Sequence, residues 1–186
     1  EIVEFSKISY DIANSLIDEL KAQRMLGLAE DAKLYLDITE FNPYTTFEDV
    51  CNSYKNKNYY EGKKIVFLNQ MNTEMLIKSD KTLLRRVLGN LIKNALEASE
   101  KDSTVSLGIE VFDSTIVFSV NNKSYMPKDI QLQIFQRSFS TKGTGRGIGT
   151  YSVKLLTEKY LHGTVSFFST EEYGTTFYVT LPKVIN

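Results

Sequence analysis

The sequence predicts an α/β fold: a two-layer α/β sandwich in which one mixed sheet is covered by helices on one face, preceded by an extended N-terminal helix. Three observations predict it. Helical and strand-like stretches are interleaved along the chain without the strict strand–helix–strand rhythm of a parallel sheet. Val105 to Val111 and Thr115 to Val120 alternate apolar and polar residues around Phe112-Asp113-Ser114, which reads as a β-hairpin and so as an antiparallel pair. Residues 1 to about 30 contain no proline and one glycine, and Phe5, Ile8, Ile12, Leu16 and Leu20 recur in steps of three and four.

The elements follow in order. The N-terminal helix carries one apolar stripe, with Ser, Asp, Glu, Lys and Arg on its other face, and a lone helix of that length needs a partner to cover the stripe. Asn42-Pro43 breaks the chain, and Tyr44 to Asn56 suits a short helix. Ile65 to Leu68 and Met75 to Ile77 read as strands, and Ser79 and Asp80 are helix-starting residues before a helix from Lys81 to Ser99. After the hairpin, Pro127 to Phe135 reads as a short helix, with proline suited to its first turn. Ile148 to Tyr160 reads as another helix. Thr164 to Phe168 and Thr176 to Leu181 read as strands joined by a turn containing Gly174.

Composition narrows the function classes. With 22 Lys and Arg against 23 Asp and Glu the formal net charge is −1, which gives no nucleic-acid or membrane-surface footprint. No apolar run is long enough to cross a bilayer, and no signal-peptide pattern opens the chain. The single cysteine, Cys51, excludes an internal disulfide and a multi-cysteine metal cluster, fits a reducing compartment, and is read as filling a helix face. A first residue Glu1 instead of Met leads us to expect a piece of a longer protein.

Two stretches carry chemistry. In KTLLRRVLGNLIKNALEAS, Lys81 to Ser99, Leu84, Leu88, Leu91 and Ala95 should face the core, whereas Arg86, Asn90, Asn94 and Glu97 share the opposite side. Two carboxamides and a carboxylate one turn apart are oxygen donors that suit magnesium, which takes one or two protein ligands beside phosphate oxygens. The same pattern also describes an ordinary solvated helix face. In Ser140 to Gly149, glycines stand at 143, 145, 147 and 149, with Lys142 and Arg146 among them. Successive backbone N–H groups there can cradle phosphates at the start of the next helix. A mobile surface loop has the same composition, and the spacing matches neither familiar phosphate-loop fingerprint.

Taken together, the motifs resemble the GHKL ATPase superfamily and, within it, the sensor histidine kinases. NLIKNALEAS, Asn90 to Ser99, resembles the asparagine box. IFQRSFSTK, Ile134 to Lys142, resembles the phenylalanine box, and GRGIGTYSVK, Gly145 to Lys154, the second glycine box. GTTF, Gly174 to Phe177, followed by Leu181-Pro182, resembles the last glycine box and terminal strand. LIDELKAQRMLGLAE, Leu16 to Glu30, is similar to the second helix of the family's dimerisation domain.

The resemblance implies a Bergerat-type ATPase fold, with residues 1–30 as the C-terminal helix of a dimerisation and phospho-acceptor domain and 31–186 as the ATP-binding catalytic domain. It implies ATP and magnesium as cofactors, with Asn94 as the metal ligand and Asn90 one turn before it, near the phosphates. Lys142, Gly145, Gly147 and Gly149 would lie over the phosphates in a mobile lid, joined by Gly143, Arg146, Ile148 and Thr150. Phe135 and Phe139 would anchor that lid. It further implies a homodimer through the N-terminal helix, a response-regulator partner, and a cytoplasmic location in a protein that is itself membrane-anchored, with no nucleic acid and no membrane contact by this part.

The chain departs from the family pattern at three places. The first glycine box, normally Asp-x-Gly-x-Gly, reads Asn122-Lys-Ser-Tyr-Met-Pro127, so Asn122 would meet the adenine amino group through an uncharged carbonyl oxygen on a stiffer loop. Arg146 stands where the family has a small threonine. The only histidine, His162, falls in a structural turn, so the phospho-acceptor is expected on a helix preceding Glu1. Relatives that hydrolyse ATP carry glutamate where Asn90 stands, and an amide cannot serve as a general base, which favours a kinase. Two alternatives remain open: a serine kinase of the anti-sigma-factor type, which lacks the long first helix, and a nucleotide-binding module without catalysis.

Overall fold

The computed structural model describes residues 2–55, 62–68, 72, 74–137 and 148–185. The chain divides into two compact units, Glu1–Tyr35 and Leu36–Asn186. The first is a single 29-residue helix, α1 (Ile2–Glu30), as its unbroken periodicity predicts. Ala32 stops it in a left-handed conformation, φ 56°, and Lys33 N–H donates to Leu28 O at 2.8 Å, a six-residue closure of the last turn. Of the apolar stripe, Leu16 and Leu20 are exposed, as is the adjacent Ile17. The side chains of Phe5, Ile8 and Ile12 lie outside the described residues.

The second unit opens with β1 (Ile38–Phe41), α2 (Pro43–Lys55), β2 (Lys64–Phe67), β3 (Ile77–Asp80) and α3 (Lys81–Ala98). The hairpin β4 (Thr104–Val111) and β5 (Thr115–Asn122) comes next, then the one-turn helix α4 (Lys128–Gln131). The chain ends on α5 (Gly149–Leu155), a π-helical turn (Leu156–Tyr160), β6 (Thr164–Thr170) and β7 (Gly174–Pro182). Five strands form one sheet in the order β2-β4-β5-β7-β6, and β1 and β3 form a separate ribbon. β2 runs parallel to β4, whereas β4, β5, β7 and β6 pair antiparallel, so the sheet is mixed, as expected.

Period-two burial shows which face meets the helices. Ile116, Phe118 and Val120 of β5, Val105, Leu107 and Ile109 of β4, and Phe177, Val179 and Leu181 of β7 are buried. Their alternates Ser106, Ser119, Tyr178 and Thr180 are partly exposed. Leu84, Leu88, Leu91 and Ala95 of α3 are all buried, as their spacing predicts. Removing a fully buried leucine from water is worth roughly 2 kcal/mol, so this stripe alone fixes α3 against the sheet. From α2, Phe47 meets Phe67 and Phe118 edge-on at 5.4 and 5.7 Å between ring centroids. Cys51 is fully buried on the same helix, where the sequence reading put it.

Three boundaries differ from the sequence expectation. The strand expected at Met75 to Ile77 lies at Ile77–Asp80. Ladder partners decide this: Phe41 pairs with Ile77 and Ile38 with Asp80, and Lys78 N–H donates to Lys183 O at 2.7 Å. Asp80 then doubles as the cap of α3, its Oδ1 accepting from Leu83 N–H at 2.9 Å while Oδ2 accepts from Asp37 N–H at 2.8 Å. The helix expected over Pro127 to Phe135 shrinks to one helical turn followed by irregular turns. The helix expected to run to Tyr160 widens at Leu156, where Leu161 N–H donates to Leu156 O at 2.9 Å, a π register that lets Leu156, Tyr160 and Leu161 all bury.

Candidate functional site

The polar side of α3 meets the first turn of α5. Asn90 is buried to 8% exposure. Its Nδ2 donates to Ser152 Oγ at 2.8 Å and lies 3.5 Å from Gly149 O. Ser152 Oγ in turn donates to Gly149 O at 2.9 Å. One turn along α3, the half-buried Asn94 rests against Gly149: a β-carbon there would sit 3.4 Å from Asn94 Nδ2 and 3.5 Å from Oδ1. The start of α5 thus lies in van der Waals contact range of the Asn94 carboxamide and within hydrogen-bond reach of the Asn90 one. Of the other two residues expected on this side, Glu97 Oε1 lies 4.0 Å from Lys93 Nζ one turn back. Arg86 lines, with Tyr54, Arg85 and Asn90, a cavity of about 120 Å³ between α2 and α3.

Two further anchors frame the same space. Thr150, also buried, donates its hydroxyl to Ile134 O, which ties the first turn of α5 to the chain just after α4. Ile148, the N-cap of α5, makes no side-chain capping bond. Phe135 packs edge-on against Phe167 and Phe177 at 5.8 and 6.2 Å, with Lys154 Nζ 5.4 Å from its ring centroid. Residues 138–147 lie outside the described residues. The expectations for Phe139, Lys142, Gly143, Gly145, Arg146 and Gly147 fall there.

Asn122 closes β5 on the buried face of the sheet, at 4% exposure. Its Nδ2 is buried without a hydrogen-bond partner among the described residues. Such an unpaired donor costs about 1–3 kcal/mol, so it calls for an explanation. The loop after it is held by side chains where glycines would otherwise give freedom. Ser124 Oγ donates to Ala98 O at the end of α3, 2.6 Å, and Thr175 Oγ1 donates to Ser124 O at 2.8 Å. Met126 N–H donates to Ser169 Oγ at 2.9 Å, and Gln131 Nε2 donates to Met126 O at 2.7 Å. Gly174, φ +73°, lies directly against Asn122 O and the Lys123 backbone. The described part of the site thus joins Asn90, Asn94, Ile148, Gly149 and Thr150, with Asn122 at the end of the neighbouring strand. Sequence reasoning missed Ser152, Ser169 and Thr175, whose hydroxyls also meet partners distant in the chain: Asn90, Met126 and Ser124.

The comparisons with known proteins agree with this architecture. The family model described as histidine kinase-, DNA gyrase B-, and HSP90-like ATPase matches residues 79–185. The heme sensor protein HssS of Staphylococcus haemolyticus is 27% identical over 129 residues, covering 66% of this chain and 27% of that protein. The chain therefore spans about a quarter of the length of such relatives. The catalytic domain of histidine kinase ThkA superposes with a TM-score of 0.71 at 26% identity, covering 81% of this chain and 100% of that domain. ThkA in complex with the response regulator protein TrrA gives 0.70 at 23% identity, over 91% of this chain and 50% of that one. Full-length ShkA in complex with AMPPNP gives 0.77 at 20% identity, over 92% of this chain and 36% of that one.

Proposed function

The chain belongs to the histidine kinase-, DNA gyrase B-, and HSP90-like ATPase family, and from that premise we propose that it is the ATP-binding catalytic domain of a two-component sensor histidine kinase. Its γ-phosphoryl acceptor would be a histidine on a dimerisation helix outside this chain. The observation that carries the reading is the meeting of Asn90 and Asn94 with the start of α5 at Gly149. The unpaired Asn122 Nδ2 is a donor, so it supports a base-recognition role at the other end of the same space through a ring nitrogen of the base, and not through the amino group that the sequence reading gave to its carbonyl oxygen.

The residues fit the implied ligands chemically. Among the described residues no three His, Cys, Asp or Glu side chains are placed to hold a metal ion. Magnesium suits such a site, because it accepts one amide oxygen and fills its remaining positions with phosphate oxygens and water. Asn94 would supply that oxygen. Bound magnesium-ATP provides the transferable phosphoryl group and neutralises part of its charge. Backbone N–H groups at the start of α5, with Gly149 and Thr150, can donate to phosphate oxygens, as helix N-termini do. Lys142, Gly143, Gly145, Arg146 and Gly147 are proposed to complete the phosphate contacts and Ile148 to line the pocket. Asn90, an amide, cannot take a proton from water, so the site favours a nitrogen nucleophile over hydrolysis.

The same reading assigns α1, with its exposed Leu16 and Leu20, to the dimerisation domain (residues 1–30), and residues 31–186 to the catalytic domain. It further proposes a homodimer, a response-regulator partner and a cytoplasmic position in the intact protein. Among the described residues no helix is long and apolar enough to cross a membrane. His162 is exposed in a left-handed turn, φ 52°, between the π-helical turn and β6, a place that suits a structural role.

Incubation with γ-labelled ATP tests the reading. We expect no acid-labile label on the chain alone, and label on a separately supplied dimerisation hairpin that carries its histidine, at a rate limited by weak encounter. Label on His162 would overturn its structural assignment. Demonstrated ATP binding without transfer to the hairpin would favour a non-catalytic nucleotide-binding module. Asn122→Ala should weaken ATP binding about tenfold, the worth of one to two neutral hydrogen bonds, and calorimetry showing no change would remove Asn122 from the base site.

A further inference from the structure

We propose that the cavity between α2 and α3 is the subsite for the terminal phosphate of the bound nucleotide, with Arg86 as its principal donor. The inference rests on the ATP-binding reading above and deepens it, because it places the one group that distinguishes ATP from ADP. Arg86, Asn90 and Asn94 follow one another along α3 at four-residue steps, about 6 Å each along the helix axis. The base end of the site lies beyond Asn94, at the C-terminal end of α3. There Ser124, two residues after Asn122, donates to Ala98 O at 2.6 Å. A nucleotide with its base at Asn122 and its inner phosphates at Asn94 and Gly149 therefore runs toward the N-terminal half of α3. Its last phosphate is carried past Asn90 to the turn of Arg86.

The cavity at that turn has the size and the chemistry for one phosphate. Its volume is about 120 Å³, room for about four waters at ~30 Å³ each. That is well below the roughly 300–1,000 Å³ of a pocket that takes a whole small-molecule ligand. Arg85 and Arg86 both line it, and among the described residues no carboxylate does. Asn90 forms its border with the nucleotide site, while its Nδ2 donates to Ser152 on the α5 side. Arg86 is half-buried, so water screens its charge less than that of an exposed arginine, and its planar fork can meet two oxygens of one phosphate. Arg85 is a secondary contributor, because its guanidinium lies 3.3 Å from Asp49 Oδ2, which offsets part of its charge. Ser53 Oγ gives its proton to Val50 O at 2.6 Å, so it adds no donor. Tyr54 brings a hydroxyl instead. A β-carbon at Gly89 would sit 3.3 Å from that oxygen, so a glycine, disfavoured inside a helix, keeps room for the phenol against α3.

The test is calorimetry of ATP and of ADP, each with magnesium, beside the NMR signal of the Arg86 side-chain Nε–H in the unaltered protein. Arg86→Gln should weaken ATP binding about tenfold or more, the worth of a hydrogen bond to a charged group, and change ADP binding no more than about twofold. Arg86→Lys, which keeps the charge without the fork, should lose about threefold for ATP alone. Tyr54→Phe should also lose about threefold for ATP alone, the worth of one neutral donor. The Arg86 Nε–H signal should move when ATP is added and stay in place with ADP. Retained ADP binding also reports that each variant folds. Equal losses for ATP and ADP in Arg86→Gln would make Arg86 a structural residue of the site and overturn the proposal. Full ATP affinity in that variant, or an Nε–H signal that ATP leaves unmoved, would do the same. Each of these outcomes leaves the ATP-binding reading intact. Failure of the unaltered protein to bind either nucleotide would overturn both.

Discussion

Asn94→Ala is expected to lower magnesium-dependent ATP affinity on the order of 100-fold while changing metal-free affinity no more than about threefold. The asymmetry follows from the ion's coordination habits. Magnesium keeps most of its water and takes few protein ligands, so losing a protein oxygen removes a large share of what the protein contributes. Even groups that merely orient a ligand alter metal affinity 10- to 100-fold. Folding should be nearly untouched. Asn94 is half-buried, and its shortening opens space beside Gly149 without forcing any group aside, so a stability change within about 1 kcal/mol is expected. Calorimetry with magnesium and with a chelator gives the comparison, and equal losses in the two conditions would remove Asn94 as the metal ligand.

Gly174→Ala should produce a large stability loss in the catalytic unit, because a positive φ and a backbone clash coincide there. Its φ of +73° costs an alanine about 1–2 kcal/mol before any contact is counted. The added β-carbon would also fall on Asn122 O and on Lys123 backbone atoms, which cannot rotate away as a flexible side chain would. A loss of about 3 kcal/mol or more is expected, equivalent to a fall in Tm of about 6–12 °C at this chain length. The displaced atoms belong to the residue assigned to the base, so ATP affinity should drop too at temperatures where the variant is still folded. Gly27→Ala provides the contrast: nothing lies within 4 Å of its β-carbon position in α1, and replacing a helical glycine should stabilise by about 0.5–1 kcal/mol. Thermal unfolding of Gly174→Ala within about 2 °C of the unaltered protein would refute the argument.

Where the sequence was legible, its signals were local. α3 has a capping aspartate, Asp80, and an apolar stripe at three- and four-residue steps, so both its extent and its buried side could be read directly. The β4–β5 hairpin showed itself by alternation around a short turn. β3 could not be read in the same way. Its residues Lys78, Ser79 and Asp80 carry no apolar pattern, and backbone pairing with β1 and with the chain near Val184 defines it. The π register at Leu156 has no compositional mark, since it arises from how Leu156, Tyr160 and Leu161 reach the core together. At the candidate site, Asn90, Asn94 and Asn122 were legible as motif residues. Ser152 was not, because a hydroxyl's function depends on which donor and acceptor fold against it, and Asn90 lies 62 positions away.

β6 ends the five-strand order with β7 as its neighbour, and that position bears on how the protein behaves at high concentration. Its sequence, TVSFFST, has no charge and no proline, and Phe168 is already 53% exposed. Strands of this composition at a sheet edge are templates for pairing with another chain. Glu171 and Glu172 stand directly after it, where like charges on approaching copies repel and discourage stacking. Phe135 also covers Phe167 and Phe177, so local opening around Phe135 would enlarge the sticky surface beside the edge. A nucleotide that binds only the folded state would suppress such opening by mass action, which makes ligand occupancy a determinant of colloidal behaviour as well as of the proposed phosphoryl transfer.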